Sequence, residues 1–184
     1  MNIQTESTPN PSSLKFLPNQ VVMKKGTIDF RNEKEAKRSP LALNLFKIDG
    51  VEGVFFGSDF ISITKGDGHK WQKLKPSILE TILEHYKSGA AILLQEEEDN
   101  TDTSNAEDSE AVIKIKEIID TKVRPAVAKD GGDIIFQSFD NGIVYLQMKG
   151  SCSGCPSSTA TLKAGIENML KHYIPEVREV RPVT

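Results

Sequence analysis

An acidic segment in the middle of the chain limits what the rest can fold into. The stretch from Glu96 to Glu110 holds eight acidic residues and no basic one, and Ala106 is the only apolar residue between Gln95 and Ser109. Such a stretch buries too little apolar surface to offset the entropy of ordering it, and its like charges repel. We therefore expect residues 95–109 to be a flexible acidic linker that joins two small α+β domains, residues 1–94 and 110–184. An acidic interaction tail is the alternative role for this segment.

The charge of the two flanking parts excludes several classes of protein. The chain has 184 residues, with 23 basic and 26 acidic side chains and a formal net charge of −3. Residues 1–95 carry 13 basic and 10 acidic side chains, and residues 111–184 carry 10 and 8. Neither part is basic enough to indicate nucleic-acid binding. The longest apolar run, Ala90 to Leu94, is too short to cross a bilayer, so we expect no membrane association.

The first residues of the chain lead to an expectation about location. Met1 to Glu6 show neither the basic and apolar regions of a secretory signal nor the Arg-rich pattern of a mitochondrial presequence. We therefore expect a bacterial cytoplasmic protein, in preference to a processed mitochondrial one. Two cysteines in the whole chain also exclude a secreted disulfide scaffold.

The N-terminal part has the pattern of a mixed domain of strands and helices. Alternating apolar residues and turn residues predict five strands, at Ile3–Glu6, Leu14–Leu17, Thr27–Phe30, Val51–Phe56 and Phe60–Thr64. A hairpin turn at residues 57–59 is expected to join the last two, and the last strand is expected to be half-buried. Helices are expected at residues 40–48, capped by Ser39, and from about Trp71 to Lys87.

We find no catalytic constellation in this N-terminal part. His69 and His85 have no cysteine or second histidine at ligand spacing, and Trp71 is interpreted as a core residue. Its residue pattern alone therefore predicts a small α+β domain and does not indicate its role.

The C-terminal part predicts the order helix, hairpin, helix, strand. A first helix begins after Ser109 and is expected to kink or end at Pro125, and residues 130–133 read as a turn. Strands at residues 134–139 and 143–148 are expected to be joined by a type I′ turn at Asn141-Gly142. A second helix from Pro156 has its apolar face at Leu162, Ile166, Met169, Leu170 and Tyr173. A last strand is expected within residues 176–183.

Cys152 and Cys155 are the only thiols of the chain, and they precede the predicted second helix. The free N–H groups and the dipole at a helix N-terminus favour thiolates. The neighbouring Gly150 and Gly154 permit a backbone that wraps around a bulky group. This organisation argues against incidental cysteines and leaves two readings, a dithiol redox centre and a metal centre.

Each of the two readings has a difficulty. A dithiol oxidoreductase has a similar Cys-x-x-Cys motif at a helix start, but here no Trp precedes Cys152, and Pro156 follows the second cysteine instead of lying between the two. A hairpin also precedes the motif where a parallel βαβ unit would be expected. An iron–sulfur cubane or an all-cysteine zinc site needs four thiolates, and one chain offers two. Either a second copy of the chain supplies the other two thiolates, in a symmetric dimer, or a small molecule completes the site. A cluster held only at such a subunit seam should be exchangeable.

Several motifs resemble those of a known family. The C-terminal part, from Val123-Arg124-Pro125-Ala126 through Asp130-Gly131-Gly132-Asp133 to the segment 150–158, resembles the C-terminal domain of NifU-like proteins. In the N-terminal part, Thr8-Pro9-Asn10-Pro11 and residues 54–61 are similar to the Nfu N-terminal domain. The chain is therefore similar to Nfu-type iron–sulfur cluster scaffold and carrier proteins over nearly everything except the acidic segment.

The resemblance implies a function. It implies that Cys152 and Cys155 are the ligands of a [4Fe–4S] cluster shared between two protomers, in a homodimer that forms on cluster binding. It also implies that the protein receives the cluster from an assembly scaffold and delivers it to client apo-proteins. Such a carrier is not an enzyme. The N-terminal domain is then expected to recognise clients. For Asp130 and Asp133 we weigh two roles, tuning of the site and formation of the turn, and we favour turn formation.

Overall fold

Two separate hydrophobic cores organise the part of the chain that the structure describes. The computed structural model describes residues 2–94, 109–150 and 156–183. They belong to two compact units, one within Met1–Glu98 and one within Asp99–Thr184. Each unit combines one sheet with helices around its own core, which confirms the α+β class. The predicted linker lies outside the described residues except for Ser109.

The N-terminal unit contains a five-stranded antiparallel sheet. Its strands are β1 (Gln4–Ser7), β2 (Ser13–Leu17), β3 (Ile28–Phe30), β4 (Val51–Phe56) and β5 (Ile61–Lys65). Their order in the sheet is β1-β2-β5-β4-β3, so β5 is the central strand. All five predicted strands are confirmed to within one or two residues at each end. The predicted hairpin joins β4 to β5, where the Gly57 N–H donates to the Phe60 carbonyl oxygen at 2.9 Å.

Three helices pack on one face of this sheet. They are α1 (Glu33–Ala36), which the sequence pattern did not predict, α2 (Pro40–Phe46) and α3 (Trp71–Ser88). The Ser39 hydroxyl caps α2, as predicted, by accepting the Ala42 N–H. Helix α3 ends at Gly89, whose φ of +68° suits glycine. The core between helices and sheet includes the fully buried Phe16, Phe30, Phe56, Ile61, Ile63, Leu41, Leu45, Ile78 and Ile82.

Strand β5 is buried on both faces, so the prediction of a half-buried strand is wrong. Ile61 and Ile63 belong to the core under the helices, and Ser62 and Phe60 outside that core are also buried. The reason is that β5 lies between β2 and β4, whose larger side chains flank the small Ser62 on the same face of the sheet. The Lys15 Nζ of β2 also lies 4.7 Å from the centre of the Phe60 ring.

The C-terminal unit opens with a helical segment that contains a π-helical turn. Helix α4 (Glu110–Ile118) is capped by Ser109, as predicted, and is followed by a π-helical turn (Ile119–Val123) and α5 (Arg124–Lys129). Pro125 does not end this segment, which stays helical from Glu110 to Lys129. It lacks the N–H that an α-helix would direct at the residue 121 carbonyl, and the wider π turn lies just before it. Ile115, Ile119, Val123 and Val127 are all buried in the core.

The second sheet has the order β6-β7-β8, with β7 in the centre. Strands β6 (Gly132–Asp140) and β7 (Ile143–Gly150) form an antiparallel hairpin, and both are longer than predicted. The turn between them has φ of +48° at Asn141 and +79° at Gly142, which agrees with the predicted type I′ turn.

Helix α6 (Pro156–Tyr173) and strand β8 (Glu179–Val183) complete the unit, and β8 pairs with β7 in parallel. Ile166 and Leu170 lie in the core as predicted. Tyr173 does not, because it is half-exposed and Ile174 is buried in its place. In the parts of the chain that the structure describes, no helix combines the length and the apolar character needed to cross a membrane.

Candidate metal centre

Both predicted site residues lie in a short connection between a strand and a helix. Cys152 and Cys155 are outside the described residues, but the structure describes both neighbours of the segment 151–155. The segment leaves β7 after Gly150 and enters α6 at Pro156. Helix α6 is 18 residues long, so its N-terminus carries the positive end of a long helix dipole. In the sequence, Cys155 directly precedes this N-terminus.

The residue before this connection, Gly150, belongs to a cross-strand pair of glycines. Gly150 pairs with Gly132 at the end of the hairpin, and its φ is +67°, a conformation that favours glycine. Asp133 and Lys149 form the next pair along the ladder. The last two residues of β7, which precede the cysteine segment, are therefore held in place by pairing with the first two residues of β6.

The connectivity around the segment corrects one step of the sequence argument. Strand β7, helix α6 and strand β8 form a βαβ unit with parallel strands, and the cysteines lie at its strand-to-helix connection. The expectation that a parallel βαβ unit is missing is therefore wrong. The expectation failed because local residue patterns do not show that β8 pairs with β7 and not with β6, which is a long-range property. The dithiol alternative thus loses one argument against it.

Asp133 is a buried ion-pair residue, so its interpretation as a turn former is wrong. The turn comprises Asp130 and Gly131, and Asp133 is the second residue of β6, with 3% of its surface exposed. Arg124 binds both carboxylate oxygens, with Nε to Oδ1 and Nη2 to Oδ2 each at 3.0 Å. The Ile134 N–H donates to the same carboxylate at 2.8 Å. These hydrogen bonds from a fixed guanidinium fork offset the cost of burying the charge.

Arg124 takes part in this site although the sequence pattern did not single it out. Hydrogen bonding to Asp133, above all, raises the pKa of Arg124, and Asp120 contributes through a contact of 3.3 Å to Nη1. The sequence did contain a signal, because Arg124 stands four residues after Asp120 and directly before Pro125 in the family-like motif. Its pairing with Asp133 depends on how α5 folds back on β6, which spacing alone does not give.

The histidines of the N-terminal unit do not form a metal site. His85 is buried near the end of α3, where loss of solvation lowers its pKa, while a hydrogen bond with the backbone of Ala90 opposes that shift. Trp71 packs against the core and donates its Nε1–H to the Pro11 carbonyl oxygen, in agreement with its predicted core role. Within residues 2–94, 109–150 and 156–183, no three His, Cys, Asp or Glu side chains form a group able to hold a metal ion.

The fold and the site define a class: a protein of two α+β units whose only thiols lie at a strand-to-helix connection. Comparison with family models then identifies both units. Residues 3–89 match the scaffold protein Nfu/NifU N-terminal family, and residues 115–181, which include Cys152 and Cys155, match the NifU-like domain. The chain belongs to the Nfu/NifU family of scaffold proteins, which confirms the resemblance found in the sequence.

Curated relatives agree with this assignment. The chain is 53% identical to the NFU1 iron-sulfur cluster scaffold homolog, mitochondrial, of Drosophila willistoni over 185 residues, covering 100% of this chain and 64% of that protein. It is also 53% identical to the NifU-like protein 4, mitochondrial, of Arabidopsis thaliana, covering 98% of this chain and 65% of that protein. The chain thus spans slightly less than two thirds of the length of these relatives.

Among solved structures, the solution NMR structure of a NifU-like protein from Saccharomyces cerevisiae is similar over 52% of this chain and 87% of that chain. The TM-score is 0.48 and the sequence identity is 29%.

The predicted bacterial cytoplasmic location is contradicted by the names of the relatives, which describe mitochondrial proteins. The prediction relied on the composition of residues 1–6. Because the chain spans only 64% of the Drosophila relative, these residues are not a measure of location.

Proposed function

We propose that this protein is a non-enzymatic carrier that binds a [4Fe–4S] cluster between two protomers and delivers it to apo-proteins. The observation that supports the proposal most directly is the position of the chain's only two cysteines. Cys152 and Cys155 fall within the residues that match the NifU-like domain, between the end of β7 and the start of α6. The names of the relatives, iron–sulfur cluster scaffold homologs, point to the same cargo.

The number of thiols supports a shared cluster. A cubane cluster is held by four cysteine thiolates, and each chain has two. Two copies related by a twofold axis supply Cys152 and Cys155 twice, without any further ligand. In this arrangement the cluster is cargo at a subunit seam, and the two protomers can separate once it has been passed on.

Delivery then proceeds by ligand exchange. The thiolates of a client apo-protein replace those of Cys152 and Cys155 one after another, and the iron and sulfide atoms pass to the client without a change in oxidation state. No group has to act as a general acid or base. An upstream assembly scaffold supplies the cluster by the same exchange in the opposite direction.

The two units have different roles in this proposal. The domain comprising residues 110–184 carries the cluster, and the domain comprising residues 1–94 recognises the client. The acidic segment 95–109 is the tether that keeps a recognised client close to the cluster. Tethering raises the effective concentration of client thiolates near the cluster without any additional contact.

The test is anaerobic reconstitution of the full chain with iron and sulfide, followed by counts of iron, sulfide and protein and by a sizing column. We expect about four irons and four sulfides for every two chains, together with a shift from monomer to dimer. Cys152→Ala and Cys155→Ala should each abolish both results. Ser153→Ala is the matched control, because it changes the same segment and keeps both thiols.

The same experiment separates the alternatives. Colourless protein without iron that forms a reversible disulfide between Cys152 and Cys155 would contradict the carrier proposal and favour a dithiol oxidoreductase, for which the βαβ unit around the cysteines is suitable. A colourless dimer that contains zinc would favour a zinc-bridged dimer.

A further inference from the structure

The ion pair between Arg124 and Asp133 is an unusual feature of the C-terminal unit. In the part of the chain that the structure describes, Asp133 is the only carboxylate among the buried residues. The Asp133 side chain is 4% exposed and the Arg124 side chain is 35% exposed, so the pair loses nearly all the solvation of one charge and part of that of the other. This desolvation offsets much of the attraction between the charges, and apolar residues of similar volume often serve as well. Stability alone therefore does not explain why a charged pair occupies this position.

The pair lies at the end of the hairpin from which the cysteine segment leaves. Asp133 directly follows Gly132, and Gly132 pairs with Gly150, the last described residue before residues 151–155. The Asp133 carboxylate holds the Ile134 N–H on one side and the guanidinium of Arg124 on the other. The ion pair thus fixes the first residues of β6 to helix α5, and β6 in turn fixes Gly150.

The helical segment holds Arg124 in place for this contact. The guanidinium is bound on its other side by Asp120, one turn earlier in the π-helical turn. The fork therefore contacts two carboxylates in a defined orientation, which a lysine ammonium does not reproduce. Two glycines, Gly131 with φ +80° and Gly150 with φ +67°, lie next to the clamped residues. Because glycine is conformationally permissive, the ion pair supplies the rigidity that these positions lack.

We propose that Arg124 and Asp133 are positioning residues for the cargo site: they fix the Gly132–Gly150 end of the hairpin and so determine how long a bound cluster is retained. This inference rests on the proposed function, because it concerns the same cysteines. Partners that orient metal ligands from outside typically change metal affinity by about 10- to 100-fold when they are replaced. The pair acts through the backbone of Gly150, which directly precedes the cysteine segment 151–155 in the sequence.

The test compares Asp133→Asn and Arg124→Lys with Glu167→Gln in the full chain. Glu167 is the matched control, because its carboxylate also accepts hydrogen bonds from a cation and a backbone N–H, those of Lys171 and Val180. Val180 pairs with Val144, at the opposite end of β7 from Gly150. The first measurement is the rate of iron loss from the loaded protein to a chelator, and the second is amide hydrogen exchange at Gly150 and Val144 in the unloaded protein.

We expect Asp133→Asn to lose iron at least about tenfold faster than Glu167→Gln. In the same variant the amide hydrogen of Gly150 should exchange faster, and the exchange rate at Val144 should not change. Arg124→Lys should lie between the wild type and Asp133→Asn. If Asp133→Asn and Glu167→Gln lose iron at the same rate, this inference is wrong while the proposed function stands. If the wild type binds no iron, the proposed function is wrong, and the exchange rate at Gly150 alone decides whether the ion pair fixes the hairpin.

Discussion

Ile82 provides a direct test of whether the two hydrophobic cores are separate folding units. It is fully buried between α3 and the sheet of the N-terminal unit. Ile82→Ala removes three carbon atoms, which at about 0.8 kcal/mol each amounts to roughly 2.4 kcal/mol of transfer free energy. A remaining cavity of about 50 Å³ adds roughly 1.2 kcal/mol, at about 24 cal/mol per Å³. We therefore expect the free energy of unfolding of this unit to fall by about 3.5 kcal/mol.

Trp71 makes the assay specific for one unit. It is the only tryptophan of the chain and the first residue of α3, so its fluorescence during urea unfolding follows the N-terminal unit. With a slope of about 1.5 kcal/mol per M, the midpoint should fall by roughly 2 M. The amide NMR signal of Val144 in β7 follows the other unit, and its midpoint should not change. Glu84→Ala, at an exposed position of the same helix, should change stability by less than about 0.5 kcal/mol.

Two results would refute this reasoning. A shift of the Trp71 transition below about 0.5 M would mean that Ile82 contributes far less than its burial indicates. An equal shift of the Val144 transition would mean that the two cores unfold as one cooperative unit.

Two further substitutions and one pH dependence test single interactions. Ser39→Ala removes the hydroxyl that accepts the Ala42 N–H at 3.2 Å, and urea unfolding should show a loss of about 1 kcal/mol. Gly142→Ala places a Cβ 2.8 Å from the Cγ of Arg178 at a φ of +79°, and should lower the stability of the C-terminal unit by about 1–3 kcal/mol. Burial lowers the pKa of His85, so the unfolded chain binds this proton first as pH falls. Thermal unfolding should therefore show the N-terminal unit losing stability below about pH 6.5.

Each of these predictions has its own control. Asn44→Ala, at an exposed position of α2, should change stability by less than about 0.5 kcal/mol, and a loss as large as that of Ser39→Ala would argue against the cap. Asn141→Gly, next to Gly142 in the same turn, should cost little because glycine also adopts a positive φ. In His85→Leu the pH dependence assigned to the imidazole should disappear, and its persistence would assign it to another group.

Features set by neighbouring residues were predictable from the sequence. Ser39 and Ser109 cap the helices that they were expected to cap, and Gly89 ends α3 with a positive φ. The turn at Asn141-Gly142 also has the predicted conformation. Each of these rests on backbone chemistry within four residues, which a sequence window contains.

Features set by distant pairing were not predictable. The burial of Ser62 follows from the central position of β5, and the βαβ unit follows from the pairing of β8 with β7. For the candidate site, the sequence alone identified the two cysteines and the helix that follows them. It misassigned Asp133, because the contact of that carboxylate with Arg124 exists only when α5 folds against β6. The role of Cys152 and Cys155 as cluster ligands stays a prediction.

The strand order of the N-terminal sheet affects how fast the two units acquire their structure. Strand β2 pairs with β5, so Leu14 meets Ile63 about fifty residues later in the chain, whereas β6 and β7 pair across a two-residue turn. Folding slows as contacting residues become more distant along the chain, because closing long loops costs entropy before any contact forms. During synthesis, the sheet that contains β1 and β2 can therefore form only after β5 has been synthesised. The half of the molecule that is made first should reach its native structure by the slower route.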